Sequence, residues 1–534
     1  MTVGELALVN GNVRTMVGDA VVVGGVAVRG GRIAAVGGDS QVRSDAGPAA
    51  RVVDLAGRWV IPGLIDAHTH LEGTALHLAS FADCHVPPHA DIPGILASLA
   101  AHADRHPERP WVIGQGSFML REKLAEGRLP TLAEMDAAVL DRPALIRAGA
   151  HISVVNSRAL ETIGVTDAFV PPAGAHVERD AAGRPTGVLI EMYWHLGLPP
   201  FSMGETREAV AAMAARLSGF GVTSVQDQFP SANGLRAYQQ LRREGRFPLR
   251  ISFTVHCPTP ASLGPFLRLG MESGFGDERL TVGAVKFFVD GGITGAAGAF
   301  HDDYAHEPGN RGALKLPREE TFEMVRRIDE AGLQISTHVV GDRALDLLLD
   351  AYEAHPPSWG KRHRLEHAGH LCMTPDRIAR IKGMGLIPVM TMPFLSSFGD
   401  FLPHYLGERA EGAFALRRLL DAGLPVAGSS DSLGAQPESL DPWFGMWCSV
   451  ARRTYRGALL APEEAVSPLE ALSTYTTHAA YADHAEGRVG SIAPGMLADL
   501  VVLDRDPAAL TADELLAVTP VATILDGEVV SGGL

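Results

Sequence analysis

Eight short apolar runs, each followed by helical periodicity, constrain this chain more than any other feature. They are VIPGLIDAHTH (60–70), GVTSVQDQ (221–228), LRISFTVH (249–256), TVGAVKFFVDG (281–291), QISTHVVG (334–341), HRLEHAGH (363–370), LIPVMTMP (386–393) and PVAGSSDS (425–432). Short, largely apolar runs of this kind suit strands of a parallel sheet with both faces covered. Parallel neighbours need a crossover between them, and patterns such as REETFEMVRRIDEAG and EEAVSPLEALSTYTTHAA read as helices of that kind. Eight strand–helix units imply an α/β fold, the (β/α)8 TIM barrel.

The two ends of the chain follow another pattern. LALVNGNVRTM, GGVAVRGGRIAAVG and ARVVDLAGRWVIPG near the start, and ADLVVLDRD and PVATILDGEVVSGG near the end, are β-branched runs cut by glycine pairs and Asn-Gly. Each piece is too small to bury a sheet alone. One small β-sandwich domain built from both termini, residues 1–60 and 486–534, is therefore expected. The barrel takes 61–84 and 201–485. The interval between the first two runs is too long for one crossover, so 85–200 reads as an insertion. It contains a helical stretch, DIPGILASLAAHADRH, and a hairpin, HVERDAAGRPTGVLIE, turning at Gly-Arg-Pro. An insertion at the C-terminal end of a barrel strand would cap the mouth, where this fold carries out its chemistry.

Composition narrows the function classes. The 534 residues hold 46 Lys and Arg against 62 Asp and Glu, a net charge of −16. That balance argues against binding a phosphate backbone. Four scattered cysteines with no CxxC pair fit a reducing compartment. The first residues show no basic region leading into a sustained apolar stretch, and no run approaches the roughly 18 residues of a spanning helix. A cytoplasmic protein that binds neither nucleic acid nor membrane is expected.

The chemistry gathers where the runs end. The first ends in His68-Thr69-His70, the fourth carries Lys286, the fifth His338, the sixth His367 and the eighth Asp431. Residues i and i+2 of a strand share a face, so His68 and His70 can meet one point at the mouth. The other four can converge on the same axial volume. Imidazole and carboxylate suit a divalent metal, zinc first, with iron, manganese or nickel also compatible. Lys286 lies among apolar neighbours, where desolvation and nearby cations both oppose an ammonium. Conversion by CO₂ to an N6-carboxylated side chain would let it bridge two metals. The duller reading is a strand-edge lysine paired with Asp290, which leaves one metal on His68, His70, His338 and Asp431. Glu366 reads as a partner orienting an imidazole, and Asp66 and Asp342 as structural. His363 and His370 compete with His367 in the sixth run.

These segments together resemble the amidohydrolase superfamily of metal-dependent hydrolases. The closer likeness is to its amidohydrolase-3 branch, which contains N-substituted formamide deformylases. VIPGLIDAHTHLEG, VKFFVDGGITG, EPGNRGAL, STHVVGDRAL, RLEHAGH, VAGSSDS and SIAPGMLADLVVLD carry the resemblance over most of the chain. It implies that His68, His70 and Asp431 bind one metal, and that carboxylated Lys286 bridges to a second held by His338 and His367, favouring two zinc ions per chain. It also implies that Asp431 takes the proton of the attacking water and delivers it to the leaving nitrogen. The segment RAGAHISVVNSRAL resembles the branch's cap segment and makes His151 a substrate contact. The chain departs from the branch after Asp290-Gly291, where a Ser-Arg-Thr-Ala-like stretch gives way to GITGAA.

The expected function is hydrolysis of a non-peptide amide-type C–N bond (N-acyl, formamide or cyclic amide) in a small-molecule substrate, by metal-activated hydroxide. A heterocyclic amine deaminase and an ester or lactone hydrolase stay open on the same site, as does a non-catalytic metal-bearing barrel that binds a small molecule. A homodimer is compatible, but no motif specifies one.

Overall fold

The structure is a computed structural model. It describes residues 5–534 except 19, 150, 173, 174, 229, 359 and 361, and excepting the side chain of residue 194. The first four residues of the amino-terminal segment thus lie outside the described residues.

All eight apolar runs form strands of one parallel sheet. In chain order these are β1 (Leu64–Thr69), β2 (Val222–Asp227), β3 (Arg250–His256), β4 (Leu280–Phe288), β5 (Gln334–His338), β6 (Arg364–Glu366), β7 (Ile387–Met390) and β8 (Ala427–Gly428). Each pairs with the next in parallel register. Every residue of β1 and β2 is buried, as helices outside and packed side chains inside require. The ring is joined between β8 and β1 by the residues just past β8. Asp431 N–H donates to the His68 carbonyl at 2.8 Å, and Ser430 N–H to Asp66 Oδ1 at 3.0 Å. That closure fixes the end of β1 against the segment after β8.

The terminal runs interleave in one eight-stranded sheet. Trp59–Pro62 pairs antiparallel with Leu500–Leu503, so the two ends of the chain are tied where the barrel begins. One face buries Leu8, Val26, Leu500 and Ile524 together, and helix Asp39–Ala46 covers the other through Val42 and Ala46. The chain passes directly from this sheet into β1 through Gly63. A Cβ there would lie 2.1 Å from Thr223 Oγ1, so the crossing of sheet into barrel admits only glycine.

Residues 82–190 contribute a six-stranded sheet with its own core around Ile95, Leu99, Val112 and Ile146. Helix Ile92–Arg105 starts at Asp91, whose side chain accepts from Gly94 N–H at 2.9 Å. The expected hairpin pairs His176–Arg179 with Pro185–Ile190, and Gly183 takes the left-handed turn position at φ 81°. The segment rests on loops that follow β7 and β8. Tyr405 Oη donates to Glu122 Oε1 at 2.8 Å, and the Gln436 amide donates to the Val86 carbonyl. These loops leave the C-terminal ends of their strands, so this layer lies over the mouth. Among the described residues no helix is long and apolar enough to cross a membrane.

Candidate metal centre

β1 delivers His68 and His70 to the mouth, and three imidazoles surround the Asp431 carboxylate. His70 Nε2 lies 3.3 Å and His68 Nε2 3.6 Å from Asp431 Oδ1, and His367 Nε2 lies 3.7 Å from Oδ2. Donor atoms of His68, His367 and Asp431 fall within 4.8 Å of one another. Both His367, at φ 73°, and Asp431, at φ 40°, occupy the left-handed backbone region. Backbone bonds hold them there: His367 N–H donates to the Val389 carbonyl at 2.9 Å, alongside the Asp431–His68 bond. Strained non-glycine residues kept in place this way concentrate at functional sites.

His338 and Lys286 stand next to this group. The His338 ring is 4.8 Å from that of His367, and its Nε2 lies 3.4 Å from the Gly291 carbonyl. Lys286 is buried inside the barrel with Nζ 5.3 Å from the Phe288 ring centre. Burial lowers its ammonium to about 8, although the Glu366 and Asp431 carboxylates draw it upward. Asp290 instead accepts three backbone N–H bonds, from Ala299, Val340 and Gly341 at 2.8–3.0 Å, and so ties loops together. The competing histidines of the sixth run are engaged elsewhere. His363 Nε2 meets Asp329 at 2.9 Å, and His370 Nε2 accepts from Thr391 N–H at 2.8 Å.

One carboxylate orients His68. His68 Nδ1 lies 2.6 Å from Glu366 Oε2, while Glu366 Oε1 accepts from Ser336 Oγ at 2.7 Å and Arg364 Nε at 2.8 Å. Arg364, also buried, donates further to Gln226 and to the Ala67 carbonyl. Burial opposes charge on Glu366, but Arg364, His68 and Lys286 together outweigh it and hold the carboxyl well below its usual range. Burial, with Lys286, lowers His68 to about 4, and burial carries His338 and His367 well below an ordinary imidazole. Neutral imidazoles are the form that ligates metals. Burial likewise opposes charge on Asp431, yet His68 and His70 keep it ionised.

The overlying segment brings a second cluster to the same mouth. His151 Nδ1 lies 2.8 Å from Glu191 Oε1, and Lys315 Nζ is 3.6 Å from Glu191 Oε2. Burial would raise Glu191, but His151 lowers it to about 2. A Cβ on Gly292 would sit 2.5 Å from His151 Nε2, so the glycine in the departing GITGAA stretch admits the imidazole. Phe118, Phe394 and Phe398 pack edge-on or stacked at 4.6–5.4 Å, with Phe394 stacked 6.3 Å from His367. Glu191 and Lys315 join the site only through tertiary contact; no spacing in the sequence links them to His151.

The donor set fits a divalent metal. Three imidazole nitrogens stand 3.3–3.7 Å from one carboxylate, a set of donors that a divalent ion could draw together. His367 Nδ1 is also buried without a hydrogen-bond partner among the described residues.

Comparison with known proteins agrees with this architecture. A family model described as an amidohydrolase family matches residues 51–531. The chain is 32% identical to an N-substituted formamide deformylase of Arthrobacter pascens, over 98% of this chain and 97% of that one. It is 28% identical to the protein LONG AFTER FAR-RED 3 of Arabidopsis thaliana, over 94% and 88%. Among solved structures, an uncharacterized metal-dependent hydrolase from Pyrococcus horikoshii OT3 superposes with a TM-score of 0.76 at 24% identity, covering 95% of this chain and 98% of its own.

Proposed function

The chain belongs to the amidohydrolase family of metal-dependent hydrolases, and from that premise we propose that it hydrolyses a non-peptide amide-type C–N bond, with N-substituted formamides as its substrate class. The observation that carries the reading is the convergence of His68, His70 and His367 on the Asp431 carboxylate at the mouth of a covered barrel. The whole-length likeness to a formamide deformylase supports the substrate class.

His68, His70, His338, His367, Asp431 and N6-carboxylated Lys286 would hold two zinc ions. The buried Lys286, lowered to about 8, exposes enough neutral amine to react with CO₂. Bound metal would polarise the substrate carbonyl and acidify water. The chain's own residues do the rest. Asp431, kept ionised, accepts the proton of the attacking water and returns it to the leaving nitrogen. Glu366 holds His68 Nδ1 as the donor, so that Nε2 keeps its lone pair toward the site. His151, fixed by Glu191, contacts the substrate from the overlying layer. Phe394 and Phe118 offer an apolar wall to the nitrogen substituent. The partner is a small molecule, without nucleic acid or membrane.

Metal analysis beside a substrate panel tests the reading. Zinc-loaded protein should hold about two ions and release formate and an amine from N-substituted formamides. Ammonia from heterocyclic amines, or turnover of esters and lactones alone, would instead assign the site to a deaminase or an esterase. Less than one ion per chain after zinc supplementation would leave a binding barrel.

A further inference from the structure

β3 ends in a histidine to which the metal centre gives no role. In parallel strands, register neighbours point to the same face. His256 is the register partner of Lys286, which is buried among the groups inside the barrel. The alternation along β3 agrees. Thr254, two residues earlier, reaches inward to Gln228 Oε1 at 3.3 Å, and Gln228 Oε1 also accepts from Ser336 Oγ on β5. His256 therefore stacks above Thr254 on the barrel's inner face, at the C-terminal rim.

Unlike His68, His338 and His367, which are buried, His256 is exposed. Its ring stands edge-on to Phe288 at 5.6 Å. Phe288 in turn lies 4.7 Å from the His338 ring and 5.2 Å from Lys315 Nζ, the ammonium paired with Glu191. An accessible imidazole thus stands on the inner rim, one aromatic ring from His338 and in the same wall as the His151–Glu191 pair. Asp431 lies past β8, on the far side of β1 and β2 from β3, so the two face each other across the mouth.

We infer that His256 is a substrate-binding residue that hydrogen-bonds the amide group of the bound substrate from the wall opposite Asp431. The inference rests on the proposed amide hydrolysis at this site and adds a polar anchor to it. A neutral imidazole offers one donor and one acceptor, so it can meet either the N–H or the carbonyl of an amide.

The test pairs chemical labelling with kinetics on the zinc-loaded full chain. Ethoxyformylation by diethyl pyrocarbonate, mapped by peptide mass spectrometry, should modify His256 rapidly. Saturating N-butylformamide should slow that reaction at least about fivefold, whereas His102 and His106 should be unaffected. His256→Ala should lower kcat/KM about 10- to 100-fold, mainly through KM, with zinc content unchanged, and His256→Gln should recover part of the loss. Turnover by the wild type, with His256 labelling unprotected and His256→Ala within twofold of wild type, overturns the inference and leaves the proposed function intact. If no formamide is hydrolysed, that substrate class fails. The same labelling with whichever amide, imide or ester is turned over then decides His256 by the same criterion.

Discussion

His68 Nδ1 lies 2.6 Å from Glu366 Oε2, a carboxylate 298 residues further along the chain and three strands away around the closed barrel. The contact selects the imidazole tautomer that points Nε2 at Asp431, and it is itself held by Arg364 and Ser336. Glu366→Gln keeps the shape and removes the charge. It should weaken zinc binding roughly 10- to 100-fold, read by competition with a chromogenic chelator, while circular dichroism stays that of wild type. Unchanged affinity would show that the carboxylate packs His68 without tuning it.

Asp431→Asn should preserve the fold, because its backbone N–H makes the closure bond to His68 and asparagine tolerates a φ of 40°. Turnover should fall about a thousandfold while most of the metal remains. Wild-type rates in metal-replete Asp431→Asn protein would remove the proton-shuttling role.

Lys286→Ala should reduce zinc content from about two ions to about one, with partial recovery of the second ion and of activity in propionate. Full stoichiometry without added acid would mean that Lys286 bridges nothing.

The barrel is legible in the sequence because eight short, largely apolar runs alternate with helical patterns, although the fully buried β1 and β2 also carry Asp66, His68, Ser224, Gln226 and Asp227. The metal-site candidates are legible because they end those runs, and the pleat relates His68 to His70. β8 is shorter than its run suggests: only Ala427 and Gly428 pair, and the ring closes through Ser430 and Asp431 instead. Periodicity cannot show a closure made by single backbone bonds. Nor can it show Glu191 beside His151, or Arg364 beneath Glu366, since those pairings depend on how layers stack. His256 occupies the same place in its run as residues of the metal centre, but only register with Lys286 shows which way it faces.

Gly292→Ala tests the wall between the overlying layer and the mouth. The added carbon would lie 2.5 Å from His151 Nε2, so the ring must move and its 2.8 Å contact with Glu191 must stretch. Since Gly292 has φ −84°, the backbone accepts alanine without strain. KM should rise several-fold, with kcat and metal content little changed. An unaltered KM would place His151 outside the substrate's reach.

Asp227 connects pH to stability beside the metal donors, through Leu71 next to His70. Its carboxyl is buried, accepting from Leu71 N–H at 2.7 Å and from Tyr238 Oη at 2.6 Å. Burial raises it to about 7, against an unfolded value near ~3.9. The folded protein therefore holds a proton on Asp227 between about pH 4 and 7 that the unfolded chain releases. The associated stability is complete below pH 4, declines as pH rises to about 7, and changes no further above it. Asparagine resembles the protonated acid: its oxygen can accept from Leu71 and its amide can donate to Tyr238 Oη. Asp227→Asn should thus gain stability relative to wild type as pH rises from 5 to 7.5, by an amount on the order of a few kcal/mol. Unfolding midpoints of both proteins, measured at each pH, cancel the pH dependence of metal binding that they share. A difference between them that stays constant from pH 5 to 7.5 would mean that Asp227 is already ionised in the folded barrel, held so by its two donors in spite of burial.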